Sequence, residues 1–135
     1  MPRRPAADPE HDAGSAVVDF VLVSALLLVV FLAVAQLGVV LHVRNVLVAA
    51  AAEGARHGAN ADRTPEEGVE RTRQVVAEAL SPERAADLEV SARAPLTPEG
   101  LATLEIEVTT PLPVGFLPGG PLRLTVHGHA LQEGP

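Results

Sequence analysis

Cysteine is absent from this chain, and so is lysine. The first absence removes disulfides, thiolate metal sites and thiol catalysis together. The second leaves all 10 basic residues as Arg, which we read as coding bias towards GC-rich DNA, since no physical demand bars lysine from every surface position. Trp and Tyr are also missing and Phe occurs 3 times, although 47% of the residues are hydrophobic. The apolar mass is therefore Ala, Val and Leu, a composition that suits a lipid-facing helix joined to a thin core, because aromatics supply much of the burial in small domains. With 17 acidic residues against 10 basic ones and a net charge of −7, no basic patch is available, and duplex nucleic acid is excluded as a partner. No Ser-His-Asp order, phosphate-cradling glycine loop or paired-carboxylate cleft stands out, so the sequence assigns no catalysis and no cofactor.

What is present divides the 135 residues sharply. Met1 to Gly14 carries mixed charge, several Pro and almost no apolar bulk, and reads as a disordered leader. From Ser15 the chain is apolar with one charge, Asp19. Phe20 to Val43 would span roughly 36 Å as a helix, enough to cross a hydrocarbon layer of about 30 Å with some tilt. No polar residue recurs at every third or fourth place, as it would in the core helix of a soluble protein. Past Arg44 the Ala-rich stretch contains no Pro, and the helix is expected to continue to about Asn60.

Thr64-Pro65-Glu66-Glu67 reads as a fresh helix start, with Thr64 as N-cap, Pro65 at the first helical position and Glu67 completing a capping box. Val69, Val76 and Leu80 form its expected apolar stripe, Glu67 and Arg71 an expected ion pair, and Ser81-Pro82 its stop. The period then changes to two. Leu88, Val90 and Ala92, then Leu104, Ile106 and Val108, then Leu122, Leu124 and Val126 alternate with polar residues, which predicts three half-buried strands. Thr97 to Gly100 is a turn, and Pro111 to Pro121 is a Pro- and Gly-rich loop whose Phe116 and Leu117 are the expected exposed apolar contact. The expected fold class is α+β: a long N-terminal helix, then a second helix packed on a small three-stranded antiparallel sheet. The expected organisation is a leader over 1–14, a transmembrane helix over 15–43, its extension over 44–62 and a small domain over 63–135.

The informative stretch is Gly14-Ser15-Ala16-Val17-Val18-Asp19-Phe20. A carboxylate at membrane depth costs about 2.5–3.5 kcal/mol on insertion scales, which makes Asp19 a functional candidate. A cut after Gly14 would give Ser15 a new α-ammonium group one helical turn from Asp19, near enough to pair with it or with a neighbour's carboxylate. In a bundle of identical helices such a pair would set the axial register.

These residues resemble the TadE-like proteins, pilin-like components of the Tad (Flp, type IVb) pilus apparatus. That family has a glycine and a small residue ahead of a Glu-Phe pair, a long apolar run, and then an Ala-rich stretch containing Glu-Gly-Ala-Arg. Glu53-Gly54-Ala55-Arg56 matches the last element, and Asp19 stands where the family has Glu. The resemblance implies that a prepilin peptidase cuts after Gly14, that Ser15 is the new N-terminus, and that the leader lies in the cytoplasm with the C-terminal domain outside it. It also implies other pilin-like subunits and the assembly machinery as partners beside the lipid bilayer, and no enzymatic role.

Gly54 and Gly58, flanked by Ala51, Ala55 and Ala59, make a small-residue face on which helices can approach closely. His127 and His129 share one face of a strand with Glu105 or Glu107 opposite, an imaginable metal site. Alternation on a solvated face produces the same pattern, and no metal is assigned. Two other readings compete. Ala33-Val34-Ala35 ahead of Gln36 fits a signal-peptide cleavage rule, which would release a secreted protein cut near Ala35. An unprocessed, membrane-anchored binding module is the other. Charge counting does not orient the helix, since Arg3 and Arg4 are balanced by Arg44 and Arg56.

Overall fold

The computed structural model describes residues 9–112 and 122–132. The expected contact at Phe116 and Leu117 lies outside the described residues. The chain divides into two units, residues 1–38 and 39–135.

Helix α1 (Pro9–Ala59) passes through both. It ends within a residue of the expected Asn60 but starts earlier than expected: the stretch read as disordered up to Gly14 is helical from Pro9. Adding residues to an existing helix gains one hydrogen bond for each residue fixed, and proline at a first helical position has no N–H to leave unpaired. Within the first unit every large apolar side chain from Val17 to Leu37 is at least 52% exposed. This is the one helix among the described residues long and apolar enough to cross a membrane.

In the second unit α1 changes character. Val43, Leu47, Ala50, Ala51, Gly54, Ala55, Gly58 and Ala59 are buried, a stripe with helical spacing, while Arg44, Asn45 and Arg56 stay exposed. Helix α2 (Pro65–Ala79) begins as its sequence predicts. Thr64 Oγ1 accepts from the Glu67 amide at 3.3 Å, and the Glu67 carboxylate accepts from the Thr64 amide at 2.8 Å. Its buried stripe is Gly68, Thr72 and Val76, whereas the expected Val69 and Leu80 are half-buried. The expected Glu67–Arg71 pair does not form. Glu67 is engaged by its capping role and by Arg63 at 3.2 Å, while Arg71 reaches Glu53 of α1 at 3.3 Å and Gln74 at 3.2 Å. Ser81-Pro82 does more than stop α2: Ser81 caps a further short helix, α3 (Pro82–Ala86).

Strands β1 (Glu89–Arg93), β2 (Thr103–Pro111) and β3 (Arg123–Leu131) form an antiparallel sheet in the order β1-β2-β3. The turn between β1 and β2 closes as expected. The Gly100 amide donates to the Thr97 carbonyl at 2.8 Å, and Gly100 has φ +81°, where a side chain would be strained. Leu104, Ile106, Val108 and Val126 point to the buried side, where they meet the stripes of α1 and α2. The fold is α+β, with the three-stranded antiparallel sheet expected from the alternation.

Glycine sets how near these elements come. A methyl group at Gly54 would fall on Thr72 Oγ1 and lie 2.5 Å from the Gly68 carbonyl oxygen. One at Gly58 would lie 2.8 Å from Leu104 Cδ2, and one at Gly128 would strike the backbone of Ala51 and Ala52. Overpacking of this kind costs about 1–3 kcal/mol, more where backbone rather than a side chain must move. Gly54→Ala and Gly128→Ala should each lower the unfolding midpoint of the detergent-solubilised chain, followed by far-UV circular dichroism. Gly38→Ala, whose new methyl would meet nothing within 4 Å, should not. Equal midpoints for all three would refute close packing.

The cap also makes stability pH-dependent. The Thr64 amide, and after it Arg63, hold the Glu67 carboxyl below its ordinary value of 4.5. A carboxyl depressed on folding stabilises fully above 4.5, and that contribution fades as pH falls through the folded value. Glu67→Gln should therefore lower stability at neutral pH and flatten its decline on acidification. Glu53 and Glu83, depressed in the same direction, contribute to the slope that remains. Parallel curves for variant and parent would remove the cap from the account.

Candidate processing and assembly segment

Gly14, Ser15 and Asp19 lie on one continuous helical stretch, and all three are exposed. Among the described residues, nothing beyond its own helix turn approaches within 4 Å of the position a side chain would occupy at Gly14. Asp19 sits one turn after Ser15, between Val18 at 57% exposure and Phe20 at 72%. Its carboxylate makes no hydrogen bond or ion pair with another described residue. A lone charge on a helix apolar all round has a large desolvation cost in lipid, which a nearby ammonium group would offset.

The Glu-Gly-Ala-Arg element is structural within the second unit. Glu53 accepts from Arg71 of α2 at 3.3 Å and from Arg56 of its own helix at 3.4 Å. The Arg71 guanidinium, then Arg56, holds the Glu53 carboxyl below its ordinary range. Gly54 admits Thr72, and Ala55 is fully buried. Thr72 Oγ1 in turn donates to the Gly68 carbonyl at 2.9 Å, so its buried hydroxyl is satisfied inside α2. The face carrying Gly54 and Gly58 is thus occupied by the chain's own α2, with Gly68 as its counterpart: a methyl at Gly68 would lie 2.7 Å from the Gly54 carbonyl oxygen.

Three residues of this packing, Gly68, Thr72 and Gly128, were not anticipated. Gly68 and Thr72 fall four residues apart, a helical spacing, with Val76 continuing the row, but a search for large apolar side chains passes over them. Gly128 interrupts a run of β-formers, and an isolated glycine inside a strand pattern is itself a sign of close backbone approach. His127 and His129 lie on the opposite, solvated face of the sheet with Glu105 and Glu107.

No curated protein and no solved structure matches the chain. A family model does: the one described as TadE-like protein matches residues 14–56, from the glycine of the candidate cut to the arginine of the Glu-Gly-Ala-Arg element. Over that segment, which holds the exposed apolar stretch and much of the buried stripe, the chain is similar to TadE-like proteins; the match covers less than half of its 135 residues.

Proposed function

We propose that this protein is a pilin-like minor subunit or assembly factor of a Tad/Flp-type pilus, without enzymatic activity of its own. A prepilin peptidase cuts it after Gly14. The helix is then retained in the membrane, with the leader side in the cytoplasm and the C-terminal domain on the other side. Asp19 pairs with the Ser15 ammonium group, its own or a neighbour's, and sets register among pilin-like helices.

One observation carries this reading: the TadE-like match begins at Gly14, five residues before the one carboxylate of the exposed apolar stretch of α1. The helix extends upstream of the cut to Pro9, so a peptidase must open it locally. Glycine lowers that cost, since it is about 1 kcal/mol less favourable than alanine in a helix. The exposed apolar side chains match lipid or other helices of the same kind, not water.

Intact-mass analysis of protein from its native membrane should give a chain beginning at Ser15, and Gly14→Leu should leave the leader attached. Asp19→Ala should still insert but abolish pilus assembly, whereas Asp19→Glu should support it. A chain beginning at Gln36 would favour a cleaved signal peptide. An uncut chain with normal function would favour a membrane-anchored binding module.

A further inference from the structure

The sheet's outer face gathers the chemistry-bearing side chains of the second unit. Alternation puts Glu105 and Glu107 of β2, and His127 and His129 of β3, on that face, but only register decides which of them meet. Pairing sets Glu107 opposite His127 and Glu105 opposite His129. The His127 ring reaches diagonally, as long side chains on neighbouring strands can, to place Nδ1 2.9 Å from Glu105 Oε1 and 3.9 Å from Glu107 Oε2. One ligand atom from each of the three residues lies within 4.8 Å of the others. The His129 ring stacks alongside, 6.4 Å from that of His127 and inclined to it by 13°.

We propose that Glu105, Glu107 and His127 bind one divalent transition-metal ion of the zinc type, with the remaining coordination position facing solvent. The donor set is one imidazole and two carboxylates without a thiolate. That suits zinc and its first-row neighbours better than copper(I), which prefers sulfur, or calcium and magnesium, which prefer oxygen alone. Ligand atoms bound at about 2.0–2.1 Å in a tetrahedral shell stand about 3.3 Å from one another, and the observed 2.9 and 3.9 Å fall on either side of that value.

Electrostatics favours the same occupant. Glu105 and Glu107 carry like charges on one face of one strand, and their side chains are only 20% and 26% exposed. Arg93, 3.7 Å from Glu107, is itself 65% exposed, and such a pair is worth little in water. A divalent ion between the carboxylates offsets their repulsion far more effectively. The ligands stand on the central strand and its neighbour, which hold them more rigidly than loops would.

The test uses the full chain, detergent-solubilised, stripped with a chelator and titrated with zinc chloride in a calorimeter. One ion should bind per chain, and zinc should raise the unfolding midpoint. Glu105→Gln and His127→Gln, both near in shape to the originals, should each weaken binding at least about tenfold and remove the midpoint shift, with unchanged circular dichroism. His57→Gln, on α1 and outside the cluster, should bind as the parent does. Absence of binding by the parent, or binding unchanged by His127→Gln, overturns the proposal. Neither readout depends on cleavage at Gly14, so this result is separate from that of the pilus reading.

Discussion

The second unit depends on backbone-to-backbone approach at four glycines. Its buried apolar residues are Val, Leu, Ile and Ala, and none is aromatic among the described residues. Of the three Phe, Phe20 and Phe31 are exposed on α1 and Phe116 lies outside the described residues. A core of such small side chains buries little area per residue, so it must recover attraction by bringing helices and sheet closer than larger side chains allow. Gly54, Gly58 and Gly68 do this between α1 and α2, and Gly128 does it between β3 and α1. Leu47, Leu104 and Ile106 then fill the space beside these contacts, each fully buried. Shortening any of them to alanine would open a cavity, a change that costs about 2–5 kcal/mol in comparable cores.

That constraint gives the Glu-Gly-Ala-Arg element a physical meaning that the resemblance alone does not supply. Its glycine makes room for α2, and its alanine is buried behind it. Its glutamate accepts from Arg71 of the helix so admitted. The element fastens α1 to the rest of its own domain. The small-residue face on which close helix approach is expected from sequence is covered, over Gly54 and Gly58, from within the chain.

What the sequence made legible was local. The capping box at Thr64 and Glu67, the turn at Thr97 to Gly100 and the alternation of Leu104, Ile106 and Val108 each depend on residues within a few positions of one another. What stayed hidden was decided at a distance. Arg71 has one acid four residues away in Glu67 and another eighteen away in Glu53, and it pairs with Glu53 while Glu67 is taken up by the cap and Arg63. Gly68 and Thr72 look like poor core residues until α1 lies against them. The meeting of His127 with Glu105 follows from strand register, which the alternation of either strand leaves open. The early start at Pro9 reflects propagation from a strong helix that propensity alone understates.

Helix α1 satisfies two environments with one backbone. From Phe20 to Leu41 its side chains are almost all apolar, on every side, and from Val43 they are apolar on one side only, so amphipathic periodicity appears partway along the helix. A helix suits both because its backbone hydrogen bonds are internal and need neither water nor a sheet partner. The exposed apolar residues from Val17 to Leu37 are consistent with lipid, and the small buried residues from Val43 to Ala59 with a glycine-tight core. Asp19 fits neither. It is too far from the core stripe to serve it, and lipid penalises its charge. On the proposed reading, an amine freed at Ser15 would supply the counter-charge that the described side chains do not.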